Sequence, residues 1–377
     1  DAVYGGGPTA RPELYDKSDR DKLLIEGLSD PNRPDDLPRI VRPDHRDDGK
    51  AIIGDPRNDE NLILSQMHLA FLKFHNALID HVRATGSATR SVFEEARRLC
   101  RWHYQWMVVH DFLPSVVGQD TLNQILEERS QGPAKVKLSF YKPKNPNRPM
   151  MPIEYAAAAY RFGHSMVRPG YTINAQGGGA ATFGPQPTEF NLNGSRRIPE
   201  RLVIAWRHFF EIPRIDGSVT GPVTNPARLI DTDLSLPLFN LPSSVVPQDP
   251  PDPMVSLAQR NLIRGKRLGL ASGQRVAQEM GVQALSNKEL GLGNDPGWGG
   301  QAPLWYYILK EAELQNKGKK LGTVGGRIVA EVVLGLLERD KNAYLHPSNK
   351  GFWPQPPMAR KPGVFLMGDL LKFAGVA

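Results

Sequence analysis

The sequence predicts a mainly α fold, one large helical domain with long irregular loops. Three observations point there. Apolar residues recur at three- and four-residue steps over several long windows, and period-two strand patterns are sparse. In addition, 36 glycines and 33 prolines in 377 residues exceed the averages of about 7% and 5% and place much of the chain in turns. A single cysteine, Cys100, excludes a disulfide framework and reads as an inert core thiol. The net charge of +7 is scattered among acids, so nucleic acid is not an expected partner. No apolar run is long enough for a membrane span, and the opening residues lack the pattern of a signal peptide.

Residues 1–60 are polar, rich in Pro, Asp and Arg, and without period, which predicts an irregular N-terminal wrap around a helical core spanning 61–377. Leu64, Met67, Phe71, Phe74, Leu78 and Val82 share one face of a helix over 62–82, with Asn58 or Asp59 as its cap. A second helix is expected over 91–112, stopping at Leu113-Pro114. The segment IEYAAAAYRFGHSMV reads as a third, ended by Pro169-Gly170. Residues 170–200 and 212–253 read as long loops around a short helix over 200–211. Further helices are expected over 256–264, 273–280, 304–314 and 324–338.

Among nine histidines, His68/His75 and His103/His110 are each seven residues apart and share a helix face. Neither pair has the carboxylate at a three- or four-residue step that di-metal helical sites use, so both read as structural. HExxH, CxxC, P-loop and GxSxG motifs are absent, and the Gly177-Gly178-Gly179 run follows no expected strand. His164 stands apart. It follows Arg161 by one turn and Gly163 directly, beyond four consecutive alanines, so an imidazole and a guanidinium share an unobstructed face. That surface suits a haem, with the imidazole on iron and Arg161 on a propionate; an ordinary core or surface histidine is the other reading.

The stretch YRFGHSMVRPGY resembles the proximal-histidine helix of the animal-type haem peroxidases, the family of myeloperoxidase and peroxidasin with many bacterial members. Upstream, DPRNDENLILSQMHLAFLKFHNALIDHV is similar to the family's distal-arginine segment, and downstream NLIRGKRLGLASG resembles the segment carrying the asparagine partner of the proximal histidine. FLPSVVG, PLWYYILKEAE and VGGRIVAEVVLGLLERD read like bacterial members.

The resemblance covers nearly the whole chain, 1–377, as one haem peroxidase-like domain. It implies haem b held by His164 as axial iron ligand, with Asn261 on its Nδ1 and Arg161 and Arg264 on the propionates. It implies Arg57 as the distal arginine and Glu60 as the carboxylate that esterifies a haem methyl in some members. Asn61 stands where a further methionine link occurs in myeloperoxidase, so no sulfonium bond is expected. The simpler readings are a helix-entry ion pair for Arg57 and Glu60 and a helix cap for Asn261.

Relatives carry a distal histidine beside a calcium loop, which the resemblance places before the first residue of this sequence; Asp1 falls at the end of that loop. His110-Asp111-Phe112 lies downstream of Arg57 and is not its counterpart. Calcium, and a histidine serving as base toward peroxide, are therefore expected only from an upstream segment or a separate chain. The implied activity is reduction of hydrogen peroxide with oxidation of a halide or small organic donor. A fatty-acid dioxygenase of the same superfamily and a non-catalytic haem-binding protein are the alternatives. A secreted or cell-envelope location is what the family implies.

Overall fold

The computed structural model describes residues 2–27, 35–43, 45, 48–88, 91–127, 134–145, 148–176, 178–246, 254–293, 301–349 and 351–377. Asp1 and Gly177, both named above, lie outside them. The architecture is mainly α. Contacts divide the chain into two compact units, one of Asp1–Tyr104, Pro169–Pro226 and Trp353–Ala377, the other of Gln105–Arg168 and Ala227–Phe352.

In the first unit the irregular N-terminal chain is itself core. Tyr4, Leu14, Tyr15, Leu23, Ile25 and Leu37 are buried in one cluster with Leu69, Leu72 and Phe93. Burying these side chains offsets the entropy of ordering so much aperiodic backbone. Helix α1 (Leu62–Thr85) starts at Asn61, whose side chain accepts from the Ile63 N–H at 2.9 Å. Asn58 and Asp59 do not cap it, because Pro56–Asp59 forms a 3-10 turn of its own before the helix begins. The helix ends at Gly86, where φ of 61° favours glycine.

His75 ties α1 to the N-terminal chain, 3.1 Å from the Tyr4 hydroxyl and 2.9 Å from the Asp21 carbonyl. The expected loop after 170 contains an antiparallel hairpin, Gly170–Asn174 on Gly178–Ala181. The short helix expected over 200–211 is two 3-10 turns, Glu200–Leu202 and Trp206–His208. A helix not expected, Met367–Phe373, follows near the C-terminus.

The helix predicted over 91–112 is α-helical over Val92–Met107 (α2), passes through a π turn at Val108–Phe112, and re-forms as α3 (Leu113–Val117). Pro114 does not stop the chain. The wider turn shifts the hydrogen-bond ladder, so the proline falls in the first turn of α3, where its missing N–H costs nothing.

The second unit is built on α4 (Gln119–Ile125), α5 (Ile153–Ala157), α6 (Leu257–Arg267), α7 (Gly273–Glu279), α8 (Leu304–Asn316) and α9 (Thr323–Arg339). Close helix approach explains two glycines. A Cβ at Gly273 would stand 1.9 Å from the Tyr307 ring, and one at Gly325 would stand 2.7 Å from Ile308. Gly322, at the N-cap of α9, has no side chain to offer; the buried Glu311 carboxylate accepts from the Val324 and Gly325 N–H groups instead.

Candidate functional site

The alanine-rich segment is where the structure departs most from the expected helix. It is α-helical only over Ile153–Ala157 and tightens into a 3-10 helix over Ala159–His164, with the break at Ala158 (φ −132°, ψ −70°). Alanine propensity alone favours a continuous α-helix, so tertiary contacts decide. Trp305 of α8, itself buried, donates from its indole N–H to the Arg161 carbonyl at 3.1 Å. The buried Ser165 hydroxyl donates to the Phe162 carbonyl at 2.9 Å. In a 3-10 helix positions three apart eclipse, so Arg161 and His164 still share one face.

Helix α6 brings Asn261 to this turn. Ser256 caps the helix by accepting from the Gln259 N–H at 3.4 Å, and four residues into the helix Asn261 is 1% exposed. Its carboxamide Nδ2 lies 2.8 Å from His164 Nδ1. Rotating the amide exchanges its nitrogen and oxygen at that place. The oxygen then accepts from Nδ1–H and leaves the lone pair on Nε2. Asn261 is therefore not a helix cap.

Burial, together with the charges of Arg161 and Arg264, lowers the His164 pKa to about 4. The ring is neutral throughout the physiological range, the form that ligates a metal. Arg161 donates from Nε to the Ala156 carbonyl at 3.1 Å. Among the described residues, neither Arg161 nor Arg264 has a carboxylate partner. A Cβ placed on Gly163 meets nothing within 4 Å, so the chain leaves open space directly before His164. A neutral, oriented imidazole, two guanidinium groups without acids and open space beside them fit a haem with its propionates.

The first unit holds Arg57 and Glu60. Arg57 sits in the 3-10 turn Pro56–Asp59, with Asp55 as the capping residue. Asp55 accepts from the Arg57 N–H at 3.0 Å and from the guanidinium at 2.6 to 3.2 Å. The Arg57 side chain is 77% exposed. The guanidinium beside Asp55 holds that carboxyl at about 2. Arg57 is thus paired with Asp55 and not with Glu60, which is exposed.

Sequence reasoning passed over Asp55, although an acid before Pro-Arg carries the signature of a capped first turn. It also missed what anchors the turn. Buried Arg39 donates to both oxygens of buried Asp59, at 2.7 and 3.0 Å, and to Asp36 at 3.3 Å. Gly194 packs so closely that a Cβ there would stand 1.9 Å from the Asp59 carbonyl oxygen, which holds the backbone at Glu60 in place.

Three further histidines have contacts of their own. His68 Nδ1 lies 3.3 Å from the Asn58 amide, and His103 Nδ1 lies 2.8 Å from the Leu99 carbonyl. His110 stacks on Trp106 at 3.7 Å and meets the Tyr344 hydroxyl at 3.2 Å. Cys100 is buried, its thiol pushed up to about 11 by desolvation.

The profile of the animal haem peroxidase domain matches residues 1–290. Peroxidasin of Drosophila melanogaster is 24% identical over 287 residues, 71% of this chain and 17% of that protein. Chorion peroxidase of Aedes aegypti is 32% identical over 117 residues, 30% of this chain and 14% of that protein. The chain thus spans about a sixth of the length of these curated relatives. The structure of peroxidase A from Dictyostelium discoideum superposes with a TM-score of 0.60 at 17% identity, covering 92% of this chain and 63% of that one, which shows a shared fold. Because the profile extends over most of the sequence, both segments described above included, the chain belongs to the animal haem peroxidase family.

Proposed function

We propose that the chain is a haem-dependent peroxidase that reduces hydrogen peroxide and oxidises a halide or a small aromatic donor. The observation that carries this reading is the neutral His164 imidazole held at 2.8 Å by the buried Asn261 amide. His164 would bind iron through Nε2. Asn261 would fix the tautomer without adding the negative charge that an aspartate would bring. Arg161 and Arg264 would receive the propionates. When bound, haem supplies the iron centre through which peroxide is reduced and the donor oxidised.

Arg57 would stabilise negative charge developing as the peroxide O–O bond breaks, and Glu60 is the residue available for an ester to a haem methyl. A second reading is favoured by one observation: the Arg57 guanidinium is engaged in donating to Asp55. On that reading the chain binds haem without peroxide turnover.

Haem-loaded protein assayed with hydrogen peroxide and guaiacol separates the two. Peroxidase function predicts turnover, and Arg57→Ala should keep stoichiometric haem while slowing the reaction with peroxide about a hundredfold. Loaded protein that gives no turnover, or a variant as fast as the parent, would contradict the catalytic assignment.

A further inference from the structure

The second unit carries a cavity of about 480 Å³ that the haem residues do not line. Its floor is aliphatic, formed by Val276 and Met280 near the end of α7 and by Ile328 and Val332 of α9. Its rim is cationic: Lys142, Lys144, Arg148 and Arg327. Two carboxylates also line it, Glu154 and Glu331.

Of that rim, Glu331 is paired with Arg327 and not with Lys142, Lys144 or Arg148. It is 1% exposed, and its Oε2 accepts from the N–H groups of Ser139, Phe140 and Tyr141 at 2.7 to 3.1 Å. Its Oε1 makes no hydrogen bond and stands 3.6 Å from Arg327 Nη1. The carboxylate is thus spent on holding the 139–141 backbone, from which Lys142 and Lys144 project. Arg327 also donates to Gln124 at 2.8 Å. Among the described residues, Lys142, Lys144 and Arg148 have no carboxylate partner. Unpaired cations above an apolar floor, in a volume of small-molecule size, select a ligand with an anionic head and an apolar body.

We propose that this cavity is a binding site for an amphipathic organic carboxylate, its apolar body on α7 and α9 and its head between Lys142, Lys144 and Arg148. The site is independent of the haem chemistry, and nothing in the proposal requires the ligand to be turned over.

The test is isothermal titration of the haem-loaded protein with dodecanoate, below its micellar concentration and in parallel with dodecyltrimethylammonium. The expected result is saturable one-to-one binding of dodecanoate and none of the cationic analogue. Lys142→Ala/Lys144→Ala should weaken dodecanoate binding at least about tenfold, while Lys142→Arg/Lys144→Arg retains it and haem absorbance is unchanged in both. Met280→Glu, which puts an acid on the floor, should weaken binding by a similar factor. Absence of saturable dodecanoate binding, equal binding of the two analogues, or affinity indifferent to the lysine and methionine variants would overturn the proposal. Because every arm reads binding, a protein that binds dodecanoate without peroxide turnover leaves this site intact while refuting the peroxidase reading.

Discussion

His164 and Arg57 are held in place by opposite means. His164 meets a partner 97 residues away in sequence, and that partner is almost completely buried. Arg57 meets a partner two residues away, at the surface, with most of its own side chain in solvent. A buried polar contact between distant segments is costly to leave half made, because the remaining group has lost its water. A surface pair within one turn can open at little cost, since water replaces either partner. The His164 side chain is therefore preorganised by the fold, whereas the guanidinium proposed to act on peroxide is held, among the described residues, by its sequence neighbour Asp55.

The largest effect expected from this contrast is in acid. Burial lowers His68, His75 and His103 of the first unit to about 4 from an ordinary 6.5. A folded-state pKa depressed in this way means stability that is fully present above pH 6.5 and lost as pH falls toward 4. Each ring is worth on the order of 3 kcal/mol over that window. Denaturant unfolding followed from pH 7 to pH 4 should show steep destabilisation, and His68→Gln should flatten part of it. A stability curve flat across the window would show that the buried rings do not govern acid unfolding.

Next in size is Asn261→Ala, which should weaken haem binding about 10- to 100-fold, as expected when the orienting partner of a metal ligand is removed. Asn261→Asp should instead retain haem and lower its reduction potential by making the imidazole more basic. An Asn261→Ala variant with parental affinity would place the long-range contact on the same footing as the local one.

The smallest effect belongs to Asp55→Ala. Freeing Arg57 should change the rate of reaction with peroxide by no more than about fivefold and leave haem content untouched. A loss of haem there would mean that the Asp55 pair supports more than its own turn.

The long helices were legible because periodicity over many residues is redundant; α1 and α9 follow it closely. The hairpin strand Gly178–Ala181 was not, since Gly-Gly-Ala-Ala offers no large side chain to alternate, although Tyr171 to Ile173 on its partner does. Met367–Phe373 is too short to show a period. The 3-10 form of the segment ending at His164 contradicts the local propensity of its alanines and depends on Trp305, 144 residues away, which no local pattern contains. The Asp36, Arg39 and Asp59 network is equally silent in sequence, because its members lie on aperiodic chain. The conjunction of His164 with Asn261 entered through the family resemblance, not through spacing.

The account stands on His164 being the iron ligand. The direct measurement is haem titration of His164→Gly, read by the Soret band with and without added imidazole. Stoichiometric haem binding should be lost in the variant and recovered when imidazole occupies the space left by the side chain. Unchanged stoichiometric haem absorbance in the variant without imidazole would contradict it.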